Sequence, residues 1–103
     1  MQTVKDLLSR RNEFVGGVLE KYPKKGVVTK STIREISSEG NEVRFIVISV
    51  LERIDGVWVP SSEVPDGSIF SFDASLTITE GPRPQFDLRD GSWFIISPAP
   101  VSV

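Results

Sequence analysis

Apolar positions in the first fifth of the chain recur at helical spacing. Val4, Leu7, Leu8, Val15, Val18, Leu19 and Tyr22 form one stripe, interrupted by Arg11, and predict a helix from Thr3 to about Tyr22. Thr3, with Asp6 three residues on, supplies a capping-box-like start. Gly16 and Gly17 are its weak point, since each costs about 1 kcal/mol against Ala inside a helix. Two readings stand open there: a close approach by another backbone, or an early end to the helix. Pro23 and Gly26 close the element in either case.

From Val27 onward the pattern changes to β-branched runs punctuated by turn residues. Val27–Ile36 reads as a strand, and Ser37–Asn41 as a turn with Gly40-Asn41 at its tip. Val43–Ile54 is the strongest strand. Strict alternation puts Val43, Phe45, Val47 and Leu51 on one face, with Ile46, Ile48 and Val50 on the other. Apolar residues on both faces predict a central strand covered on both sides, one by the helix and the other by a second layer or subunit. Asp55-Gly56 is a type I′ hairpin signal leading into Val57-Trp58-Val59. Ser68–Thr79 alternates as one half-buried strand. Phe86–Arg89 and Ser92–Ile96 flank a third tip, Asp90-Gly91.

The expectation is one domain spanning 1–103, with a helix over 1–22, antiparallel strands over 27–97 and a tail over 98–103. No βαβ crossover follows the strands, which disfavours parallel topology. The fold class is therefore α+β: an N-terminal helix followed by a bent antiparallel sheet or small barrel of about six short strands.

Composition narrows the chemistry. The chain has 103 residues and contains neither Cys nor His. Disulfides, zinc sites built on those ligands, and His-based triads are thereby excluded. Carboxylates are dispersed among turns, no phosphate-binding glycine loop or nucleophile elbow is present, and no cofactor is implied. A non-enzymatic protein is expected. No run reaches the length of a membrane span, and no secretory leader pattern is seen, so a cytoplasmic protein without membrane association is expected.

Charge is lopsided. Residues 1–34 carry eight basic and three acidic side chains, a net +5, whereas residues 35–103 carry a net −7. Such asymmetry suggests a polyanionic partner at one end. The densest cluster is Lys21-Tyr22-Pro23-Lys24-Lys25-Gly26, three ammonium groups around one ring. Cations of this kind neutralise phosphates, and rings of this kind stack bases. Lys30 and Arg34, four apart on the next strand, are expected on one face, with Arg44 on the neighbouring strand adding to it. Trp58, on a short strand after a tight turn, is the second stacking candidate. The opposing reading is a solvated loop with Tyr22 packed in the core.

In size, hairpin-rich strands and the basic-aromatic stretch Lys21 to Lys25, the chain resembles the small single-stranded-DNA-binding proteins of viruses and phages. The likeness is one of plan and carries no signature motif. The helix stands first here, whereas the five-strand oligonucleotide-binding barrel places it between strands three and four. The resemblance implies single-stranded nucleic-acid binding with little sequence preference. Lys21, Lys24, Lys25, Lys30, Arg34 and Arg44 are expected to neutralise phosphates, and Tyr22 and Trp58 to stack bases. A homo-oligomer is expected because one face of the Val43–Ile54 strand lacks a cover. Two other classes stand beside it. One is a protein-interaction module whose acidic residues, Glu63, Asp66, Asp73, Asp87 and Asp90, steer a basic partner. The other is an assembly protein joined through strand edges.

Overall fold

The computed structural model describes residues 2–100. Most of it is antiparallel sheet. A two-residue strand β1 (Gln2–Thr3) leads into a 3₁₀ segment, Val4–Arg10, which continues as a single α-helical turn, α1 (Arg11–Phe14). The Asp6 carboxylate accepts the Thr3 backbone N–H at 2.7 Å, the return arm of the expected cap. Eight more strands follow: β2 (Val18–Tyr22), β3 (Thr29–Glu39), β4 (Glu42–Ile54), β5 (Val57–Pro60), β6 (Ser68–Asp73), β7 (Thr77–Ile78), β8 (Gln85–Asp87) and β9 (Trp93–Ser97).

The helix is therefore half as long as its apolar stripe predicts, and Val18–Tyr22 is a strand. The chain leaves the helix at Val15, which is extended, and Gly16 then turns it at φ +89°, open to glycine at little cost. A Cβ on Gly17 would lie 2.1 Å from the Ser97 carbonyl oxygen, so the chain here runs directly against the C-terminal strand. Both readings left open for the glycine pair hold at once. Val15, placed by the stripe on the buried side, is 37% exposed.

The main sheet has the order β5-β4-β3-β2-β9-β8, and β6 pairs with the first half of β4 on the same side as β5. β1 and β7 form a separate two-stranded ladder. The sheet curls strongly but does not close into a barrel. Its concave side holds the core: Phe45 and Val47 of β4, Ile33 and Ile36 of β3, Leu19 of β2, and Phe94 and Ile96 of β9. Val4, Leu7 and Phe14 of the helical segment pack against them. Phe72 of β6 meets Phe86 and Phe94 edge-on, at 4.9 and 4.7 Å between ring centroids. The far edges of the sheet thus touch through side chains without sharing a ladder.

All three expected hairpin tips form. Asp55 and Gly56 both take positive φ, 51° and 79°, as a type I′ turn requires. Ser37–Glu39 extends β3 rather than joining the turn. The long run Ser68–Thr79 splits into β6 and β7, because the Asp73 carboxylate folds back onto the Ser75 N–H at 2.8 Å and turns the chain.

β4 departs from strict alternation. Between the pairs Lys30–Leu51 and Thr32–Ile48 it carries one more residue than β3, and between Ile33–Val47 and Glu35–Ile46 β3 carries one more than β4. The first bulge centres on Ser49, whose φ is 53°, and whose N–H is taken by Asp66 Oδ1 at 2.7 Å. It turns Val50 into the core and puts Leu51 on the outer face, reversing their expected sides. The outer face of β4 thus keeps three apolar residues, Ile46, Ile48 and Leu51, all half-buried.

Of the expected tail, Pro98–Pro100 is seen, and the Ala99 N–H donates to the Glu13 carbonyl at 3.0 Å. Residues 101–103, and Met1 at the start of the expected helix, lie outside the described residues.

Candidate nucleic-acid interface

Because β2, β3, β4 and β9 bury one side of their alternation, the intervening side chains share the convex face, and register with β4 carries Trp58 and Pro60 of β5 onto it. Cross-strand register aligns them in rows. Trp93 of β9 pairs with Tyr22 of β2. Across the next ladder, the Arg53 N–H donates to the Val28 carbonyl, and Arg53 pairs with Trp58 of β5. The row Trp93–Tyr22–Val28–Arg53–Trp58 thus crosses five chain segments, or about 19 Å at ~4.8 Å per strand step. Beside it runs a second row, Ile95–Glu20–Lys30–Leu51–Pro60, set by the pairs Glu20–Ile95, Glu20–Lys30, Lys30–Leu51 and Leu51–Pro60.

The rings are half-exposed and ordered by their neighbours. Tyr22 and Trp93 stack face to face, with centroids 4.1 Å apart and planes 9° from parallel. The Tyr22 hydroxyl donates to Glu20 Oε2 at 2.5 Å. That bond holds the phenol above its usual pKa, and burial adds in the same direction, while the charges of Arg83 and Arg53 oppose it. Trp58 has the Lys30 ammonium 4.3 Å above its ring and the Arg53 guanidinium at 5.8 Å. Such contacts orient both partners and contribute about 0.5–1 kcal/mol each at exposed sites.

The basic loop joins this face at the Trp93–Tyr22 end. The Lys24 stem lies across Gly91, where a Cβ would come within 2.9 Å of its Cδ. Lys21, on the concave side of β2, is close enough to Asp90 to help lower that carboxylate's pKa, although the Ser92 hydroxyl and N–H do most of it. Lys21 and Lys25 also line a cleft of about 390 Å³ with Glu52, Glu63, Val64 and Phe70. Among the described residues, Lys21, Lys24, Lys25, Lys30, Arg34 and Arg53 make no ion pair with a carboxylate.

Six of the eight residues expected from sequence are therefore brought to one end of the molecule: Lys21, Tyr22, Lys24, Lys25, Lys30 and Trp58. Two are not. Arg34 is the unpaired residue of the second bulge, which breaks the alternation that would have set it above Lys30. Arg44 pairs with Ser37, seven residues along β3 from Lys30, or roughly 20 Å away at ~3.3 Å per residue. There it is neutralised by an ion pair with Glu39. Three residues of the convex rows were missed: Trp93, Arg53 and Glu20. In Trp93-Phe94-Ile95-Ile96 both faces are apolar, so alternation gives no hint of which ring faces out. Glu20 was hidden by the helical reading of β2; Gly16-Gly17 ahead of Val18-Leu19 was the available signal.

The acidic residues have local work. Asp66 holds the Ser49 bulge, Asp73 and Asp90 cap Ser75 and Ser92 in turns, and Glu20 receives Arg83 as well as Tyr22. Among the described residues no group of three or more carboxylates gathers to hold a metal ion, and no helix is long and apolar enough to cross a membrane.

A scan of protein-family models, a search of curated proteins and a search of solved structures each returned no match.

Proposed function

We propose that this protein binds single-stranded nucleic acid on the convex face of its sheet, as a non-enzymatic binding protein. One observation carries the reading: Trp93, Tyr22, Arg53 and Trp58 share one solvent-facing row, with Lys30 in the next row over Trp58 and the loop lysines Lys24 and Lys25 at one end, Lys21 lying on the other side of β2. Stacking on exposed rings contributes ~1–3 kcal/mol per base and tolerates any base, while cations track the phosphates. A row of about 19 Å accommodates a few nucleotides. Tyr22, Trp93 and Trp58 are half-exposed and already in ring or cation contacts, so bases extend existing stacks rather than build new ones.

Both tryptophans of the chain lie in this row, so intrinsic fluorescence reports on it directly. Titration with a single-stranded oligonucleotide is expected to quench the emission, with an affinity that falls as salt rises. Absence of binding at low salt, or an affinity indifferent to salt, rejects the interface.

The far end of the same face favours self-association as an accompanying property. Ile46 and Ile69 are cross-strand neighbours there, and Ile69 is 46% exposed. Light scattering across concentration tests this, and a monomer at every concentration rejects it.

A further inference from the structure

Beside the Tyr22–Trp93 stack stands an acceptor that stacking alone does not use. The Glu20 side chain is only 17% exposed, and the outer face of β2 aims it between Ile95 and Lys30. Its Oε2 accepts the Tyr22 hydroxyl. Its Oε1 faces Arg83 Nη2 at 3.4 Å, long for a charge-assisted bond, which ordinarily spans about 2.7–2.9 Å. The Arg83 side chain is 60% exposed. The carboxylate is thus fixed in place by a tyrosine and covered at long range by a guanidinium whose Nε donates to Ser97 Oγ at 3.2 Å, so its hold on Glu20 is one of two contacts.

We infer that Glu20 selects guanine at one position of the bound strand; this rests on the interface proposed above. A base stacked on the Tyr22–Trp93 pair projects its edge over the adjacent row, where Glu20 stands. The Watson–Crick edge of guanine presents N1–H and the N2 amino group side by side, the same two-donor fork that a guanidinium offers a carboxylate. Guanine therefore replaces the single long Arg83 contact with two donors, Oε2 keeping the Tyr22 hydroxyl on its other lone pair, and frees the Arg83 Nη2 for a phosphate. Thymine presents one N–H between two carbonyls, which the carboxylate repels. Adenine and cytosine each present a single amino group beside an acceptor. The remaining rings stay indifferent to sequence, so the preference is confined to one base.

The test uses the full chain and a thymidine oligonucleotide of about nine nucleotides, read by tryptophan quenching in a lithium buffer. The central base is thymine, guanine, or hypoxanthine, which lacks the N2 amino group. Guanine is expected to bind about tenfold more tightly than thymine, with hypoxanthine between them. Glu20→Gln should bring the guanine-to-thymine ratio toward one. Arg83→Ala should widen it, because the competing guanidinium is gone, an effect that a purely structural ion pair would not produce. Equal affinity for all three oligonucleotides overturns the guanine assignment and leaves the interface standing. A preference that survives Glu20→Gln overturns the role of Glu20. Should that variant fail to fold, an unchanged ratio in Arg83→Ala overturns it instead. Failure of every oligonucleotide to bind at low salt overturns interface and selectivity together.

Discussion

The two faces of the sheet use different rings. On the concave side every aromatic is phenylalanine: Phe45, Phe72, Phe86 and Phe94 interlock in edge-on and stacked pairs, with Phe14 below and Phe70 at the rim. On the convex side they are Tyr22, Trp58 and Trp93, all half-exposed, with Tyr22 and Trp58 in contact with charged groups and Trp93 stacked on Tyr22. A buried phenylalanine leaves no polar atom unsatisfied, whereas the indole N–H and phenol O–H suit a boundary with water. Ring chemistry thus sorts with ring position. The inner set serves cohesion, and the outer set forms a surface whose shape is held without being sealed.

That contrast predicts mutations that separate stability from binding. The largest effect belongs to the interior. Phe72→Ala removes the ring that joins β6 to β8 and β9 and should cost about 3–5 kcal/mol of unfolding free energy. Chemical denaturation measures it, and a loss below ~1 kcal/mol would mean that the sheet edges do not depend on this contact. Trp58→Ala should act on the other ledger, weakening oligonucleotide affinity by about 1–3 kcal/mol while moving the denaturation midpoint far less. Equal damage to both quantities would erase the distinction between the faces.

Smaller effects sharpen the map of the outer surface. Lys24→Ala should lower the slope of log affinity against log salt by about 0.7, the contribution of one phosphate contact on a single strand. Arg44→Ala, at the Glu39 pair on the far end, should leave that slope unchanged; a fall there would extend the interface along the whole of β4. The smallest effect is a pH dependence at the β8–β9 tip. Hydrogen bonds from the Ser92 hydroxyl and N–H lower the Asp90 pKa. The stability this carboxylate contributes is therefore present above its unfolded-state pKa of about 3.9 and is lost as pH falls through its lower folded-state value. Asp90→Asn should slightly reduce stability at neutral pH and remove part of the acid-side decline, as thermal melts at stepped pH would show.

What sequence disclosed and what it hid follow one physical division. Gly40-Asn41, Asp55-Gly56 and Asp90-Gly91 specify their turns through local backbone preference, so three hairpins could be placed from the chain alone. β2 could not. Its apolar residues Val18, Leu19 and Tyr22 fit a helical stripe, and its strand character comes from ladders with β3 and with the distant β9. Tertiary pairing overrode local propensity there, as it does wherever partners lie far apart in sequence. The site divided in the same way. Lys21 to Lys25 could be found because they are contiguous, whereas Trp93 reaches Tyr22 only through the β2–β9 ladder. Arg34 was misplaced by counting in twos across a bulge that local sequence does not announce, and Arg44 by the hairpin register, which sets it beside Ser37 and far from Lys30.

The Ser49 bulge gives β4 a reading frame. Residues before it and residues after it obey opposite parity, so the strand tolerates length changes much as a coding sequence does. Excising Ser49 would remove the extra residue and leave a regular strand with Val50 still inward and Arg53 still outward, whereas excising Leu51 would rotate the end of β4 by a full side-chain alternation and drive Arg53 toward the phenylalanine interior. Elsewhere in the chain, a residue lost from the loop between β5 and β6 shortens a connection; lost at Ser49, it straightens a strand; lost at Leu51, it turns part of the sheet inside out.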